Sequence, residues 1–385
     1  MTALPPPDAD AAAHGARVAE YVAQLVADRG GVLPFSEYMD AVLYAPGLGY
    51  YSAGSHKLGS GGDFTTAPEV SPLFGRCVAA QLADAGAAGG EVLEVGAGSG
   101  RLAADALIEL ARTGALPARY AILELSADLR ARQRATLEAL APAALPCVEW
   151  LDTLPETFSG IVFANEVLDA LPVERFRRTA NGVEQCVVGY EPGRFASDFR
   201  PAGAELTRAV AAIEEEVGRL PDGFESEVCL RLRPWLASLA DMLTGGTLLF
   251  IDYGMSRREY YSAARSTGTL RCHYRQRAHD DPFVWPGLQD ITAQVDFTAV
   301  AELGTAAGLE LAGYTTQAHF LIGCGLTGFM DEPLPDDRAA VLRSQQAARL
   351  TMPGEMGERF KVIAFTRGPV SALRGFAVRD LSERL

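Results

Sequence analysis

The sequence predicts an α/β fold with a doubly wound, mostly parallel sheet. Short apolar segments of strand length occur at residues 92–95, 120–125 and 160–164, and residues with helical spacing separate them. Strands that alternate with helices in this way are typical of a parallel sheet covered on both faces. A glycine-rich turn also links the first of these strands to its helix, as at the start of a nucleotide-binding βαβ unit.

The other elements follow from the same periodicity. Apolar residues at helical spacing predict a helix starting at Ser126 and further helices at 15–29, 37–44, 71–83, 206–220, 235–243, 297–307 and 337–350. Apolar or alternating segments predict further strands at 147–151, 183–190, 247–253, 315–322 and 361–366. The late part of the sheet is expected to contain antiparallel strands.

Four regions organise the chain. Residues 1–90 form an N-terminal helical region with a glycine-rich lid, and residues 91–175 form the core of the binding fold. Residues 176–246 interrupt the alternation of strands and helices, so they are predicted to be an insertion that builds a wall of the substrate site. Residues 247–385 complete the core and contain a second, irregular insertion at about 254–296.

The composition argues against several classes of function. The formal net charge is −15, which disfavours a nucleic-acid substrate, because phosphate contacts need basic surface, and permits a cationic substrate. Six scattered cysteines without a Cys-x-x-Cys pair, and five histidines, predict no metal site and no disulfide framework. The sequence shows no apolar run of membrane-spanning length and no signal or transit pattern, so a cytoplasmic location is expected.

The glycine turn carries the first candidate site residues. Gly96, Gly98 and Gly100 follow Glu94 with the spacing G-x-G-x-G, whereas a dinucleotide fingerprint would need a glycine in place of Arg101. Glycines let the backbone approach a ligand, and N–H groups at the helix start favour electron-rich atoms. The spacing resembles motif I of S-adenosylmethionine (AdoMet) methyltransferases, in which the acidic residue holds the methionine amino group. The alternative is a tight turn without a ligand.

Polar residues also follow the other predicted strands. Glu124 ends the second strand, where a carboxylate can accept hydrogen bonds from two ribose hydroxyls, and Leu125 adjoins it. Asp152 follows the third strand, where it either reads an adenine edge or is only a turn residue. Asn165 follows the fourth strand. Because ligands bind beyond the carboxyl ends of parallel strands, we expect Gly96, Glu124 and Asn165 to face one crevice.

Several segments together form a family pattern. Four groups of residues carry it: 49–51 together with 62–66 and Glu69; 94–100; 165–172; and 268–270 together with 295–297. The segments 317–321 and 356–362 extend the pattern. In these segments, over roughly residues 33–365, the chain resembles the MidA-like AdoMet-dependent methyltransferases. The sequence Asn-Glu-x-x-Asp-Ala-Leu-Pro at 165–172 is the most specific of them. Gln276 and Gln294 depart from the pattern, since histidines are common there in the family.

The resemblance implies a Rossmann-like class I methyltransferase with AdoMet as its cofactor. For the mitochondrial branch it also implies symmetric dimethylation of an arginine on a subunit of respiratory complex I during assembly. We therefore expect a protein substrate with an exposed arginine. Asp63, Phe64 and Thr65 belong to the glycine-rich loop and are expected to close over the cofactor. The oligomeric state stays open, with a homodimer as one option.

Glu166 and Asp169 are the candidate catalytic residues. A guanidinium nucleophile needs carboxylates that fix its plane and keep its charge on the non-reacting nitrogens. On a helical turn after the fourth strand, two acids three residues apart would share one face. In the alternative, they cap the following helix and order Asn165.

Three other functions fit parts of the pattern. The first is a methyltransferase that acts on a different protein side chain or on a small molecule. The second is a non-catalytic assembly factor, against which the intact Glu94, glycine turn and Glu124 weigh. The third is a nicotinamide oxidoreductase, which the glycine spacing at Arg101 disfavours.

Overall fold

The computed structural model describes residues 4–53 and 66–385. The described residues divide into two compact units. The first, which we call the antiparallel unit, contains residues 4–53 with Leu168–Arg233 and Ser256–Asp296. The second, which we call the parallel-sheet unit, contains residues 66–167 with Pro234–Met255 and Phe297–Leu385.

The helices of the described chain are distributed over both units. In chain order they are α1 Ala9–Asp28, α2 Phe35–Tyr44, α3 Ala67–Val70, α4 Pro72–Asp84, α5 Arg101–Arg112, α6 Ala127–Leu140, α7 Ala204–Val217, α8 Leu232–Met242, α9 Arg257–Tyr260, α10 Phe297–Ala306, α11 Gln317–Gly323, α12 Leu326–Met330 and α13 Asp337–Thr351.

The strands follow the same chain order. They are β1 Val32–Pro34, β2 Glu91–Val95, β3 Arg119–Leu123, β4 Val148–Leu151, β5 Phe158–Asn165, β6 Glu174–Thr179, β7 Gly182–Glu191, β8 Arg194–Pro201, β9 Glu225–Val228, β10 Leu243–Met255, β11 Arg271–Tyr274, β12 Arg277–His279, β13 Asp290–Thr292, β14 Val295–Asp296, β15 Glu310–Thr316 and β16 Phe360–Arg367.

The sheet of the parallel-sheet unit confirms the predicted fold class. Its strands lie in the order β15-β16-β10-β5-β2-β3-β4. The pairs from β10 to β4 are parallel, whereas β16 runs antiparallel to both of its neighbours. The chain order reverses between β2 and β5, because β3 and β4 follow on one side and β10 on the other. Ligands of open α/β sheets bind at such a switch point, beyond the carboxyl ends of the strands.

The central strands are apolar and buried on both of their faces. In β5, Ile161, Val162, Phe163 and Ala164 are all at most 2% exposed, so the strand shows the continuous apolar run of a parallel sheet rather than alternation. Phe163 and the α5 residue Leu107 belong to one hydrophobic core. This packing fixes the strand ends from which the candidate site residues project.

The antiparallel unit contains two smaller sheets. The first has the order β1-β7-β6-β9, with β8 paired to β7, and the second has the order β12-β11-β13. Its core joins residues of α1, α2 and both sheets, including Val18, Tyr38, Cys186, Cys272 and Ile291. The region predicted to be an irregular second insertion therefore contains regular strands, which are too short to show a clear period in the sequence.

One predicted strand is wrong. Residues 315–322 divide between the end of β15 and α11. Thr316 caps this helix, since its Oγ1 accepts a hydrogen bond from the N–H of His319. Gln317, Phe320 and Leu321 are all buried and recur at helical spacing. The β-branched threonines extended the strand pattern past the point where the cap ends it.

Candidate functional site

The turn after β2 adopts backbone angles that favour glycine. The φ angles of Gly96, Gly98 and Gly100 are 70°, 54° and 80°, all in the left-handed region. The Gly96 N–H donates to the carbonyl of Leu123, 3.1 Å away, which fastens the turn to the end of β3. A Cβ on Gly96 would lie 3.0 Å from Cγ2 of Val167. The turn therefore presents bare backbone at the carboxyl edge of the sheet.

Gly100 has a packing role in this turn. A Cβ at this position would lie 2.9 Å from the Cα of Gln133, so glycine lets α5 begin close against α6. The neighbouring Ser99 hydroxyl donates to Glu69 Oε1 at 2.5 Å. Thr136 Oγ1 donates to the Ser99 carbonyl at 2.8 Å. Helix packing thus accounts for the third glycine of the turn.

Glu94 is a buried carboxylate on β2, just before the turn. Its side chain is 2% exposed, and its Oε2 accepts a hydrogen bond of 2.7 Å from the hydroxyl of Tyr120 on β3. Burial raises the pKa of Glu94 to about 7, although the Tyr120 hydrogen bond opposes this shift. A cation next to this buried carboxyl group would lower its pKa again and favour its ionised form.

Glu124 is a second buried carboxylate, directly after β3. Its Oε1 accepts from the N–H of Ser126 and its Oε2 from Nε2 of Gln133, both at 2.9 Å. Burial raises the pKa of Glu124, while these hydrogen bonds favour its ionised form. Each carboxylate oxygen can still accept a second hydrogen bond. The group is therefore fixed in place and able to accept from a pair of hydroxyls.

Gln133 connects the glycine turn to Glu124, and sequence reasoning missed it. Its Nε2 donates to Glu124 and, at 3.1 Å, to the carbonyl of Gly98. Its Oε1 accepts from Nε1 of Trp150 at 2.9 Å. The residue is fully buried although it is polar. The only signal in the sequence was a polar residue at a core position of α6, which does not reveal its partners.

Asp152 and Leu125 lie at the surface. The Asp152 side chain is 85% exposed and forms an ion pair of 2.5 Å with Nη2 of Arg130. Arg130 also donates to the carbonyls of Glu124 and Leu151, at 2.6 Å and 2.7 Å, and so ties together the ends of β3 and β4. Leu125 is 79% exposed. Their assignment to the cofactor site stays a prediction.

Asn165 and Glu166 lie at the end of β5, next to β2 in the sheet. Nδ2 of Asn165 donates to Oε1 of Glu166 at 3.1 Å. Oδ1 of Asn165 is buried and has no hydrogen-bond partner within residues 4–53 and 66–385. Glu166 has a left-handed φ of 54°, and its N–H donates to the carbonyl of Ile251 at 2.9 Å. The strand end thus holds a positioned carboxylate beside a buried acceptor.

Asp252 supports this strand end from β10, and the sequence did not point to it. Its Oδ2 accepts from the N–H of Val167 at 3.1 Å, and its Oδ1 from the N–H of Tyr253 at 2.8 Å. The residue is 1% exposed. The contact joins β10 to the turn after β5, far apart in the chain, so local pattern could not reveal it.

The predicted helical turn at Glu166 and Asp169 does not form. Residues 166–171 contain no helix, and the next regular element is β6. The left-handed Glu166 and the restriction that Pro172 places on its predecessor both oppose a helix. The shared helical face is therefore wrong, and so is the alternative in which these acids cap a following helix. Asp169 also belongs to the antiparallel unit, since the chain leaves the parallel-sheet unit after Val167.

The remaining predicted cofactor residues, Asp63, Phe64 and Thr65, lie outside the described residues. Within residues 4–53 and 66–385, no group of three or more His, Cys, Asp or Glu side chains is arranged to hold a metal ion. None of the helices in those same two ranges combines the length and the apolar character needed to span a membrane.

Comparison with known proteins adds a family match. A family model described as "Putative S-adenosyl-L-methionine-dependent methyltransferase" matches residues 73–315. A crystal structure from Burkholderia thailandensis bound to S-adenosyl-homocysteine is 45% identical, with a TM-score of 0.94, and each chain covers 100% of the other. The native crystal structure of an uncharacterized protein from the same organism is 44% identical, with a TM-score of 0.92 and the same coverage.

A curated relative with a named activity is also similar. The mitochondrial protein arginine methyltransferase NDUFAF7 of Danio rerio is 30% identical over 370 residues. The alignment covers 86% of this chain and 82% of that relative.

Proposed function

The chain belongs to the MidA-like family of AdoMet-dependent methyltransferases, and we propose that it methylates an arginine side chain of a protein. The observation that carries this proposal is a relative, similar over most of both chains, that is named a protein arginine methyltransferase. The net charge of −15 favours encounter with a cationic substrate.

The residues at the carboxyl edge of the parallel sheet fit AdoMet. The backbone at Gly96 and Gly98 is bare and has left-handed φ angles, which permits close approach of a ligand. Glu94 is a buried carboxylate suited to an ammonium group, and Glu124 is a fixed carboxylate suited to the two ribose hydroxyls. The buried acceptor Oδ1 of Asn165 can take one further donor.

AdoMet supplies a methyl group on a positively charged sulfur, so the chain mainly has to align the nucleophile and accommodate the changing charge. In the proposal, Glu166 accepts hydrogen bonds from the non-reacting nitrogens of the guanidinium. Asn165 holds the Glu166 carboxylate through its 3.1 Å hydrogen bond. Asp252 fixes the backbone one residue later, at Val167. The catalytic role of Asp169 stays the prediction made from the sequence.

A strong general base is not required for this reaction. The guanidinium keeps its proton at neutral pH, and one proton can leave a reacting nitrogen once the new carbon–nitrogen bond forms. Glu166 then acts by orientation and by keeping positive charge on the other nitrogens.

The test is the identity of the methylated amino acid. The protein is incubated with tritiated AdoMet and cell-extract proteins, including subunits of the respiratory NADH dehydrogenase, and labelled amino acids are identified after acid hydrolysis. We expect label in methylarginine. Label confined to another amino acid or to small molecules contradicts the proposal.

Two variants test the role of Glu166 in the same assay. Glu166→Gln should lower transfer by about 100-fold, the size of effect seen when one electrostatic contact to the reacting group is removed. Its affinity for AdoMet should not change. Glu138→Gln removes an exposed carboxylate on α6 and should leave both quantities unchanged.

A further inference from the structure

Two tyrosine rings meet a buried carboxylate in the antiparallel unit. The rings of Tyr44 and Tyr51 are stacked, with their centroids 5.4 Å apart and their planes inclined by 21°. The hydroxyl of Tyr51 donates to Oδ1 of Asp290 at 2.8 Å. Asp290 is 1% exposed and lies at the start of β13.

A second carboxylate lies in the same place. The carbonyl of Asp169 accepts from the N–H of Ala293 at 3.0 Å, which brings it to the end of β13. The carbonyl of Ala170 accepts from the hydroxyl of Tyr44 at 2.8 Å. The Asp169 side chain is 6% exposed. The turn that carries Asp169 is thus bound both to the tyrosine pair and to the strand of Asp290.

The pKa values of the two tyrosine hydroxyls also indicate that both carboxylates lie near them. Burial raises the pKa of Tyr44 and Tyr51 well above the ordinary range, and the negative charges of Asp290 and Asp169 raise both further. His273 lies opposite Asp290 in the β11–β13 pair, and burial lowers its pKa, which disfavours its charged form. The region therefore combines buried negative charge with two neutral aromatic rings, and Tyr44 is 38% exposed.

Thr292 gives an independent sign of a binding site. It is 3% exposed, and its Oγ1 has no hydrogen-bond partner within the described part of the chain. It lies two residues after Asp290 in β13, so both side chains project from the same face of the strand. The intervening Ile291 belongs to the hydrophobic core. A buried hydroxyl left without a partner costs free energy that a ligand donor would recover.

A guanidinium matches these groups better than other cations do. It carries five N–H donors in a plane, which suits acceptors on several sides, and its flat face stacks on aromatic rings. A metal ion is a poor match, because the described residues contain no group of three or more metal-binding side chains here or elsewhere. A lysine ammonium offers only three donors and no flat face.

We propose that a cluster in the antiparallel unit binds the guanidinium of an arginine side chain of the protein substrate, and we call it the acidic–aromatic cluster; its members are Tyr44, Tyr51, Asp169, Asp290 and Thr292. This inference rests on the proposed function and adds specificity-determining residues to it. Asp290 and Thr292 accept hydrogen bonds from the guanidinium, and the tyrosine pair provides the aromatic surface.

Binding of a minimal probe tests the subsite directly. Nα-acetyl-L-arginine methylamide is titrated into the full chain saturated with S-adenosylhomocysteine, alongside the citrulline analogue, which has a neutral group of the same shape, and the lysine analogue. We expect the arginine probe to bind at least about tenfold more tightly than either analogue, as loss of a charged hydrogen bond predicts. Equal binding of the citrulline or lysine probe, or no binding of the arginine probe, overturns the proposal.

Two variants separate ligand recognition from fold stability. Thr292→Val keeps the shape and removes only the partnerless hydroxyl, so it should weaken probe binding several-fold while the melting temperature stays equal or rises. Asp290→Asn should weaken it by about tenfold. Asp222→Asn removes an exposed carboxylate of the same unit and should change nothing. Wild-type affinity in both Thr292→Val and Asp290→Asn contradicts the subsite, even if Asp290→Asn is less stable.

The methylation assay distinguishes failure of the subsite from failure of the proposed function. If wild type forms methylarginine and Thr292→Val and Asp290→Asn form it at the same rate, the subsite is wrong and the function stands. If wild type labels only other acceptors, the function itself is wrong. If only Thr292→Val and Asp290→Asn lose methylarginine formation while their affinity for AdoMet is unchanged, the result supports both the subsite and the proposed function.

Discussion

Tyr120 donates a hydrogen bond of 2.7 Å to the buried carboxylate of Glu94 from the neighbouring parallel strand. The hydrogen bond favours the ionised carboxylate, but burial outweighs it and raises the pKa of Glu94 to about 7. The residue proposed to hold the ammonium of AdoMet therefore titrates near neutral pH before the cofactor binds.

The affinity for AdoMet should depend on pH through Glu94. The ammonium of the cofactor favours the ionised carboxylate, so binding releases a proton and weakens as the pH falls below about 7. Far enough below that pH, the dissociation constant should rise by up to about tenfold per unit. Calorimetry in two buffers of different ionisation enthalpy measures the released proton.

Glu94→Gln is the matched variant for this pH dependence. It should bind AdoMet more weakly at pH 8 and lose the dependence between pH 6 and 8. The effect on stability without cofactor has the opposite sign, because the native state holds the proton more tightly than the unfolded state. The stabilising contribution is present below the usual pKa of 4.5 and is lost as the pH rises through about 7. A wild-type pH profile in Glu94→Gln rules out Glu94 as the titrating group.

Asp252 should act as a positioning residue for Glu166. In Asp252→Asn, one of the two backbone N–H groups of Val167 and Tyr253 faces an amide N–H instead of an oxygen. We expect the rate of methyl transfer to fall by about 10–100-fold, as for a small misplacement of an active-site group. The AdoMet dissociation constant should change much less. Equal losses in rate and cofactor affinity argue for a general structural role, and the exposed Asp331→Asn serves as control.

Gln133 should matter for cofactor affinity through Glu124. Gln133→Leu keeps the volume and removes the hydrogen bonds to Glu124, Gly98 and Trp150. Because Glu124 loses its fixed geometry, the dissociation constant for AdoMet should rise by about tenfold, and the free energy of unfolding should fall by about 1–3 kcal/mol. Calorimetry and denaturant unfolding measure the two effects. The exposed Gln345→Leu on α13 should show neither.

Gly268 should be required for the stability of the antiparallel unit. It has a φ of 82°, and a Cβ there would overlap Oε1 of the buried Glu227. Gly268→Ala should therefore lower the free energy of unfolding by about 2–4 kcal/mol, from backbone strain and overpacking. Gly189→Ala in β7, where a Cβ meets only ordinary contacts, should be neutral or slightly stabilising. A loss below about 0.5 kcal/mol in Gly268→Ala contradicts the steric explanation.

The parts of the site that local sequence encodes were predictable. Strand β2, the glycine turn and Glu94 lie within ten residues, and their period and glycine spacing require no knowledge of distant contacts. Glu124 and Asn165 were predictable for a related reason, since the ends of parallel strands meet at one edge of the sheet.

The remainder depends on contacts between distant segments. Gln133, Asp252 and Asp290 are recognisable only by what they touch, and each has a partner outside its own element. The conformation at Glu166 also escaped prediction, because a left-handed φ in a residue other than glycine has no sequence signature. The predicted helical turn failed for this reason.

Calorimetric titration of AdoMet and S-adenosylhomocysteine, with NADH as control, tests the cofactor site most directly when wild type is compared with Gly98→Val. The φ of 54° at Gly98 disfavours a β-branched residue, and the side chain would occupy the space that the bare backbone leaves for the cofactor. The account predicts that wild type binds the first two ligands but not NADH, and that Gly98→Val, still folded by circular dichroism, binds none of them. Wild-type affinity in Gly98→Val, or no binding of AdoMet by wild type, contradicts the site at the glycine turn.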